Sequence, residues 1–429
     1  MENKSIRKPF EAVIGYDTEK EELTRLADAW HDPGKYRALG VETPHAVLLY
    51  GVPGLGKTLF ANALIEASGL PRFDCRKTKS DGEFVDMIRE TFEKAEKSAP
   101  SVVFLDDMDK FAEDNLQENC NKEEFAAIQS CMEAVSKKDV FVVATANEIY
   151  NIPSSLRRAG RFGRQIRFEA PGLADAERII LHYLQGKKTA PDVLPADLAD
   201  ILQGRSCATL ESVMNDAGML AAFEGKKEIG RVHMIRAILR TVLQVKEKKP
   251  DPHAARFAAC HEAGHAVVAH VLGRHVSLVS IFCADESGGV CVLRDEESEV
   301  KCGFDELLDE VTVAVAGKAA VELCQGQADV GCRNDIDKAI DMLRPAMTRC
   351  CAAGFDYGYD RERWDKRQAP ARVARISKKL YATMEACCRR AVRILTEYRD
   401  VLDALTKALL TTDALLWQDL DALFSKHAA

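Results

Sequence analysis

The segment AVLLYGVPGLGKTLFANALIEA, residues 46–67, constrains the fold more than any other part of the chain. Its first five residues form a short apolar run typical of a buried parallel strand, and LFANALIEA has helical periodicity. Between them GVPGLGKT has the form of a P-loop, in which Gly51 and Gly56 let successive backbone amides face a phosphate. Lys57 can reach the β and γ phosphates, and the Thr58 hydroxyl can ligate Mg²⁺. A glycine-rich turn that merely joins a strand to a helix is the alternative, and the two flanks together favour the phosphate site.

Two further apolar runs end in polar side chains suited to the same nucleotide. SVVFLDDMD, residues 101–109, places Asp106 where a Mg²⁺ ligand is needed and Asp107 where a carboxylate can orient the attacking water. VFVVATAN ends at Asn147, which can help to position that water at the carboxyl edge of a parallel sheet. Acids and amides commonly finish strands, so the interpretation depends on their spacing after the P-loop.

A basic, glycine-broken loop, RRAGRFGRQI, follows the last of these strands. Arg161 and Arg164 in this loop can stabilise the charge of phosphoryl transfer from a neighbouring subunit. A solvated basic loop is the alternative.

ACHEAGHAV, residues 259–267, contains two histidines four residues apart. On an α-helix four residues advance ~400°, so His261 and His265 lie within ~40° on one face and ~6 Å apart along the axis. Two imidazoles at this spacing can share one zinc ion. Glu262 can then act as general base, taking a proton from a zinc-bound water that attacks a peptide carbonyl. Two structural histidines are the alternative, and the unbroken helical pattern that follows favours the metal site.

The length of the chain, 429 residues, exceeds what one hydrophobic core usually serves. QVKEKKPDPH, residues 244–253, concentrates charge and two prolines as linkers do, and a weaker break lies near Ala170-Pro171-Gly172. We therefore predict four parts: a nucleotide-binding subdomain over 1–170, a helical subdomain over 171–245, a linker over 246–253, and a mostly helical metal domain over 254–429.

Charge, hydropathy and cysteine content exclude several classes of protein. A net charge of −8, from 59 basic and 67 acidic residues, argues against a nucleic-acid partner. No run of about 18 apolar residues could cross a bilayer, and the N-terminus lacks the apolar core of a signal peptide. The 14 cysteines show no zinc-finger spacing, so we expect free thiols that serve as small buried hydrophobes. These features favour the cytoplasm.

Together the motifs resemble the AAA+ ATPases, and specifically the FtsH-type ATP-dependent zinc metalloproteases. The resemblance begins at FEAVIGYDTEKEEL and HDPGKYRALG, continues through the motifs above, and extends to SCATLESVMNDAGMLAA. It implies an α/β P-loop AAA+ domain with a small helical lid, followed by a mostly α-helical zinc peptidase domain. It also implies polypeptide substrates, the cofactors ATP, Mg²⁺ and Zn²⁺, and a ring, usually a hexamer, in which the two loop arginines act in trans. The nucleotide-binding residues that it implies are Ile14, Gly15, Gly51, Val52, Pro53, Gly54, Leu55, Gly56, Lys57, Thr58, Leu59, Asp106, Asp107, Asn147, Arg161 and Arg164.

A catalytic zinc needs a third protein ligand, with a fourth position left for water. His270 follows His265 by five residues, ~140° around a continuous helix, so it should face away from the ion. The resemblance points instead to Asp335 in GCRNDIDKAI, with Asp337 as a nearby competitor. A helix N-terminus also favours acids at such positions, and His₂-carboxylate sites accept divalent ions besides zinc.

Three departures from the family pattern affect the expected behaviour. Asp107 stands where the family has glutamate, which moves the carboxylate back by on the order of an ångström, so ATP turnover should be slow. The aromatic pore loop expected within SDGEFVDMIRETFEKA is missing, and Phe84 is either its replacement or an ordinary buried aromatic. Only about ten residues precede FEAVIG, so we expect no membrane anchor in this chain.

Two functions remain open on the sequence alone. The first is an ATP-dependent zinc metalloendopeptidase that couples ATP hydrolysis in a ring to proteolysis, and the intact HEAGH motif favours it. The second is an ATPase-regulated remodelling or binding protein, or a peptidase of unfolded chains whose motor threads poorly. The shortened pore segment and Asp107 favour this alternative.

Overall fold

The computed structural model describes residues 2–77, 83–111, 122–244, 251–282, 289–294, 303–327, 330–357, 370–412 and 414–427. Contacts divide the chain into two compact units, residues 1–185 with 204–212 and residues 186–203 with 213–429. The predicted boundaries of the four parts stay a prediction. Residues 246–250 of the predicted linker lie outside the described residues, and 252 and 253 already belong to a helix.

The first unit is built around a parallel sheet with helices packed against it. Its elements are α1 (Glu2–Glu11), α2 (Asp17–His31), α3 (Pro33–Arg37), β1 (Ala46–Tyr50), α4 (Lys57–Ser68), β2 (Arg72–Cys75), α5 (Glu83–Lys97), β3 (Ser101–Leu105), α6 (Lys122–Val135), β4 (Val140–Ala146), β5 (Arg164–Arg167) and α7 (Leu173–Leu184).

The strand order is β2-β3-β4-β1-β5, with every neighbouring pair parallel. β1, β3 and β4 are apolar along most of their length and almost completely buried, as central parallel strands are. In the register of the sheet Tyr50 lies opposite Ala146, and Leu105 lies opposite Ala144. The P-loop, Asp106 and Asn147 therefore leave the sheet at the same carboxyl edge, where α/β proteins bind ligands.

The remaining elements are mostly helical. They are α8 (Pro195–Leu202), α9 (Cys207–Phe223), α10 (Arg231–Thr241), α11 (Pro252–Val271), β6 (Val276–Ser280), β7 (Val290–Leu293), α12 (Phe304–Ala314), α13 (Ala316–Gln325), α14 (Arg333–Thr348), α15 (Pro370–Glu397), α16 (Arg399–Thr412), β8 (Ala414–Leu416) and α17 (Trp417–His427). β6, β7 and β8 form an antiparallel sheet in the order β7-β6-β8.

Helix α11 lies at the centre of the second unit. Its residues from Ala258 to Ala269 are almost all buried, and they share one apolar cluster with residues of β6, α13, α15 and α16. A helix that is covered on nearly every side holds its polar side chains in fixed positions, which suits a binding site. In the described residues no helix combines the length and apolarity that a membrane span requires.

Candidate zinc centre and nucleotide site

The HEAGH motif lies in the middle of α11, and the start of this helix is defined by local sequence. Asp251 is its N-cap: the carboxylate accepts hydrogen bonds from the backbone N–H groups of His253 (2.9 Å) and Ala254 (3.1 Å). Pro252 occupies the first helical position, where its lack of an N–H costs nothing. The helix then continues without interruption through both motif histidines, which puts them on one face as expected.

The structure brings His261, His265 and Asp335 together. The His261 Nε2 atom lies 2.9 Å from Asp335 Oδ2 and 3.0 Å from His265 Nε2, and His265 Nε2 lies 3.4 Å from the same carboxylate oxygen. Asp335 reaches this position from the first turn of α14, 74 residues after His261. Among the described residues this is the cluster of three histidine, cysteine or acidic side chains arranged to hold a metal ion.

The size of this triangle fits zinc. Zinc bonds of about 2.0–2.1 Å to nitrogen and oxygen in a tetrahedron place neighbouring ligand atoms about 3.3 Å apart. The observed edges of 2.9, 3.0 and 3.4 Å are close to that value, and two imidazoles with one carboxylate are donors that zinc accepts. All three side chains line the same cavity, so a metal ion held by them would be accessible to a water molecule or substrate.

Hydrogen bonds and burial fix the protonation states of these ligands. His265 Nδ1 lies 2.7 Å from the Val313 carbonyl oxygen, to which it donates, and this leaves Nε2 with its lone pair toward the cluster. Burial raises the pKa of Asp335, but hydrogen bonds with His261 and His265 outweigh it and hold the pKa well below its ordinary value. The carboxylate is therefore ionised, as a metal ligand must be.

Close packing of α13 against α11 holds the two imidazoles in place. A Cβ atom at Gly317 would lie 2.5 Å from the Nε2 atoms of both His261 and His265. A Cβ atom at Gly264 would lie 2.4 Å from the Ala320 Cβ and 2.8 Å from the Ala316 carbonyl oxygen. Both positions therefore require glycine, and neither was identified from the sequence, because nothing in the local pattern shows which helix will pack there.

Glu262 lies in the wall of a cavity of about 910 Å³ beside this cluster and is 5% exposed. Strand β7 passes next to it: a Cβ atom at Gly289 would lie 3.0 Å from Glu262 Oε1, and the Cys291 thiol is in electrostatic contact with the same carboxylate. Burial, and to a smaller extent the negative charge of Glu262, raises the pKa of Cys291 well above its ordinary value. This thiol therefore stays neutral. The cavity also contains apolar wall residues, among them Phe257 and Met342, so it can hold peptide side chains.

The two competing ligands lie elsewhere. The His270 ring stacks on Phe424 with ring centroids 3.6 Å apart, and it faces Asp421. The Asp337 side chain is 64% exposed and lies 3.9 Å from Arg333. Neither belongs to the cluster.

In the first unit, the P-loop lysine and the Mg²⁺ ligands predicted from sequence converge. The Lys57 ammonium donates to the carbonyl oxygens of Gly51 (2.7 Å) and Val52 (2.9 Å) and to the Asn147 side-chain oxygen (2.9 Å). Asp106 Oδ1 accepts hydrogen bonds from the hydroxyls of Thr58 (3.2 Å) and Thr145 (2.8 Å). Burial lowers the pKa of Lys57, although nearby carboxylates oppose this shift. Thr145 is a member of the site that the sequence pattern did not indicate.

Asp107 lies next to Lys110, which no motif in the sequence indicated. Its backbone has a positive φ of 52°, its N–H donates to the Thr145 hydroxyl, and its Oδ2 accepts from the Lys110 ammonium at 2.8 Å. The nearby Asp109 is 2% exposed and caps the end of β4, accepting from the N–H groups of Asn147 (3.0 Å) and Glu148 (3.2 Å).

The two loop arginines make ion pairs within the chain. Arg161 pairs with Glu133 and donates to the Ser155 carbonyl, and Arg164 lies 2.6 Å from Glu22. Both side chains are partly exposed. Their predicted action on a neighbouring subunit stays a prediction.

The remaining predicted nucleotide contacts lie in the same unit. Ile14 and Gly15 precede Tyr16, whose N–H donates to Asp175 and whose hydroxyl donates to the Glu169 carbonyl, which fixes this segment beside the start of α7. Of the P-loop side chains, Leu55 is buried, whereas Val52 and Leu59 are about half exposed. The other P-loop residues predicted to contact the nucleotide are Pro53, Gly54 and Gly56.

Phe84 is 2% exposed and packs edge-on against Phe111, with ring centroids 4.8 Å apart. It is an ordinary buried helix aromatic, so the idea that it replaces the pore loop is wrong. The preceding residues 78–82, where the shortened pore segment begins, lie outside the described residues.

Comparison with known proteins identifies two family matches along the chain. Residues 47–170 match the ATPase family associated with various cellular activities, and residues 249–423 match peptidase family M41. The ATP-dependent zinc metalloprotease FtsH 3 of Symbiobacterium thermophilum is 30% identical, over 98% of this chain and 71% of the relative. FtsH 1 of Thermoanaerobacter sp. strain X514 is also 30% identical, over 99% of this chain and 74% of the relative.

The chain therefore belongs to the FtsH family of ATP-dependent zinc metalloproteases. A further FtsH, from Aster yellows witches'-broom phytoplasma, is 29% identical over 96% of this chain and 63% of its own length. Membership of the FtsH family confirms the predicted resemblance, fold class and enzyme class, and with them Zn²⁺, ATP and Mg²⁺ as cofactors.

Proposed function

We propose that this FtsH-family chain is a metalloendopeptidase that uses ATP hydrolysis to deliver polypeptides to a zinc centre held by His261, His265 and Asp335. The observation that supports this most is the convergence of those three side chains, 2.9–3.4 Å apart, on a cavity that also contains Glu262.

The residues around the zinc position divide the chemical work among them. Zinc, when bound, supplies a Lewis acid that polarises the scissile carbonyl and makes a coordinated water acidic. The Glu262 carboxylate takes the proton from the attacking water and delivers it to the leaving amine nitrogen. Its burial excludes bulk solvent from that transfer.

The strand next to Glu262 offers a way to orient the substrate. β7 is the outer strand in the order β7-β6-β8, and Val290, Cys291 and Leu293 line the cavity. An extended peptide can add to such an edge through backbone hydrogen bonds. We propose that this pairing lays the scissile bond across the metal centre, independently of the substrate's sequence.

In the nucleotide site we assign one role to each polar group. Lys57 binds the β and γ phosphates, Thr58 and Asp106 hold Mg²⁺, and Asp107 with Asn147 orients the attacking water. Ile14 and Gly15 complete the nucleotide pocket.

The family and the chemistry of the side chains support proposals for the assembly and the location. We propose a homo-hexameric ring in which Arg161 and Arg164 act on the nucleotide of a neighbouring subunit. The eleven cysteines in the described residues are free thiols, which supports a reducing compartment, the cytoplasm.

A second function, a peptidase of already unfolded chains with a weak motor, is supported by one contact. The Asp107 carboxylate, already shorter than glutamate, is held by Lys110 at 2.8 Å, and this ion pair competes with its orientation of water.

One assay separates these functions. Degradation of an unstructured and a folded protein is measured with and without ATP, for the wild-type chain, Lys57→Ala and Glu262→Gln. The ATP-dependent endopeptidase predicts that Glu262→Gln abolishes all cleavage and that Lys57→Ala abolishes cleavage of the folded substrate. If the wild type digests only the unstructured protein, equally with and without ATP, the weak-motor function is correct. Unchanged cleavage by Glu262→Gln would overturn the catalytic assignment.

A further inference from the structure

Two cysteines lie at the contact between α11, which carries the two motif histidines, and α13, which packs against their imidazoles. Cys260 precedes His261 on α11, and Cys324 is in the last turn of α13, seven residues after Gly317. The two helices run in opposite directions at this contact: Gly264 lies against Ala320 and Ala316, and one turn earlier Cys260 lies against Ala320 and Cys324. The thiols therefore face each other one helical turn from the tight contact at Gly264.

The contact between the two thiols is direct. The Cys260 Sγ atom lies 3.4 Å from the Ala320 carbonyl oxygen and is hydrogen-bonded to the Cys324 sulfur. A disulfide would shorten this sulfur contact to about 2.05 Å, with the Cβ atoms about 3.5–4.5 Å apart.

The two thiols differ in access and acidity. Cys260 is 1% exposed, whereas Cys324 is only partly buried and has the Arg399 guanidinium in electrostatic range. The hydrogen bond with Cys260 is the largest influence on the pKa of Cys324, and together with the positive charge of Arg399 it lowers this pKa to about 7. Burial opposes the shift. An accessible thiol of low pKa beside a second thiol is the arrangement that oxidants attack.

We propose that Cys260 and Cys324 are an oxidation site, at which hydrogen peroxide forms a disulfide that ties α11 to α13 and reversibly lowers peptidase activity. The Cys324 thiolate attacks peroxide, which gives a sulfenic acid and hydroxide. The Cys260 thiol then attacks the sulfur of the sulfenic acid, and its proton leaves with the hydroxyl group as water. The proton that Cys324 released on ionisation neutralises the hydroxide. In sum, two thiols and one hydrogen peroxide give one disulfide and two water molecules. This regulatory consequence rests on the proposed peptidase function.

The disulfide affects the metal site because α11 and α13 are already in contact. At Gly264 the two backbones have no room to approach, so shortening the sulfur contact must tilt or rotate α13. Gly317 on α13 lies against both imidazoles, so this movement displaces His261 and His265. We expect kcat for an unstructured peptide to fall on the order of tenfold, the size of effect that a sub-ångström misplacement produces.

The test uses the zinc-loaded full chain. The reduced protein is treated with hydrogen peroxide, remaining thiols are blocked, and a digest is searched by mass spectrometry for a peptide linking residues 260 and 324. Peptide cleavage is measured before oxidation, after oxidation, and after addition of dithiothreitol. Cys324→Ala is compared with Cys350→Ser, which changes an exposed cysteine at the end of α14.

We expect the linked peptide in the wild type and in Cys350→Ser, together with a loss of cleavage that dithiothreitol reverses. Cys324→Ala should cleave normally and resist peroxide. Absence of the linked peptide, a linked peptide with unchanged cleavage, or equal peroxide sensitivity in Cys324→Ala each overturns the proposal. If the link forms but the reduced chain cleaves no peptide, the proposed peptidase function is overturned instead. The proposed effect of oxidation on activity is then overturned with it.

Discussion

Two aspartates two residues apart on α14 have very different surroundings. Asp335 is held by two imidazoles, and its pKa lies far below the ordinary value, whereas the Asp337 side chain is mostly in solvent. The sequence could not choose between them except by family resemblance, because a helix N-terminus tolerates acids at both positions. The choice depends on the fold bringing α14 to α11.

Substitution of these aspartates gives a matched pair of variants. Asp335→Asn removes one of three ligands, so we expect zinc affinity to fall on the order of 100-fold or more, with loss of cleavage. Asp337→Asn should leave both unchanged. Zinc titration against a competing chelator measures this. Equal affinity in the two variants would remove Asp335 from the site.

Asp107 gives a second prediction about a single side chain. A glutamate at this position extends the carboxylate toward the attacking water and away from Lys110, so we expect Asp107→Glu to raise the kcat of ATP hydrolysis by up to about tenfold. KM for ATP should change little, because we assign binding of the phosphates and Mg²⁺ to Lys57 and Asp106. Asp107→Asn serves as the control and should abolish turnover. A kcat that falls in Asp107→Glu would show that the shorter side chain is the one adapted to this site.

At the scale of elements, the zinc centre depends on how closely α13 approaches α11. The helices meet through small residues, Gly264 and Gly317 against Ala316, Ala320 and the imidazoles. This close packing restricts rotation of the two imidazoles.

The contact between these helices can be tested by adding one methyl group. Gly264→Ala places a Cβ atom 2.4 Å from that of Ala320, so we expect a loss of about 1–3 kcal/mol in the free energy of unfolding. Gly218→Ala, in α9, is the control, since its Cβ atom would meet only Ile229 at 3.5 Å. Urea unfolding measures both variants. A Gly264→Ala chain as stable as the control would show that the helices can separate at little cost.

The sequence predicted elements well where the signal is local. β1, the P-loop and α4 are adjacent in the chain, and the HEAGH histidines lie on a single helix, so periodicity and spacing identified them. Gly317, the Val313 carbonyl and Thr145 belong to the sites only because distant segments pack together. Their residue types are ordinary in helices and strands, and no spacing in the sequence marks them. For Phe84 the local sequence was misleading. Its position beside the pore segment suggested that it replaces the pore loop, and its burial excludes that role.

At the scale of the whole molecule, the proposed function requires subunits to act on one another. Arg161 and Arg164 make ion pairs within the chain with Glu133 and Glu22, and in a ring we expect them to exchange these partners for nucleotide phosphates. We therefore expect the activity of one subunit to depend on its neighbour.

Mixing two inactive variants tests this dependence. Lys57→Ala lacks the lysine that we propose binds phosphate, and Arg161→Ala lacks the arginine that we propose acts in trans. Each variant alone should therefore hydrolyse ATP at least about 10³-fold more slowly. In mixed rings some interfaces combine an intact Lys57 with an intact Arg161, so activity should partly return. Arg167→Ala, at the exposed end of β5, is a control for charge and should remain active. No recovery on mixing would place Arg161 outside the neighbouring site.

The central claim is that two residues of one helix and a distant carboxylate hold a zinc ion that this chain uses for peptide hydrolysis. Anomalous diffraction at the zinc absorption edge, from crystals of the zinc-loaded protein, tests it most directly. The account predicts one strong peak about 2.0–2.1 Å from the Nε2 atoms of His261 and His265 and from an Asp335 carboxylate oxygen. Zinc bound by other side chains, or a peak with Asp335 beyond bonding distance, would contradict it.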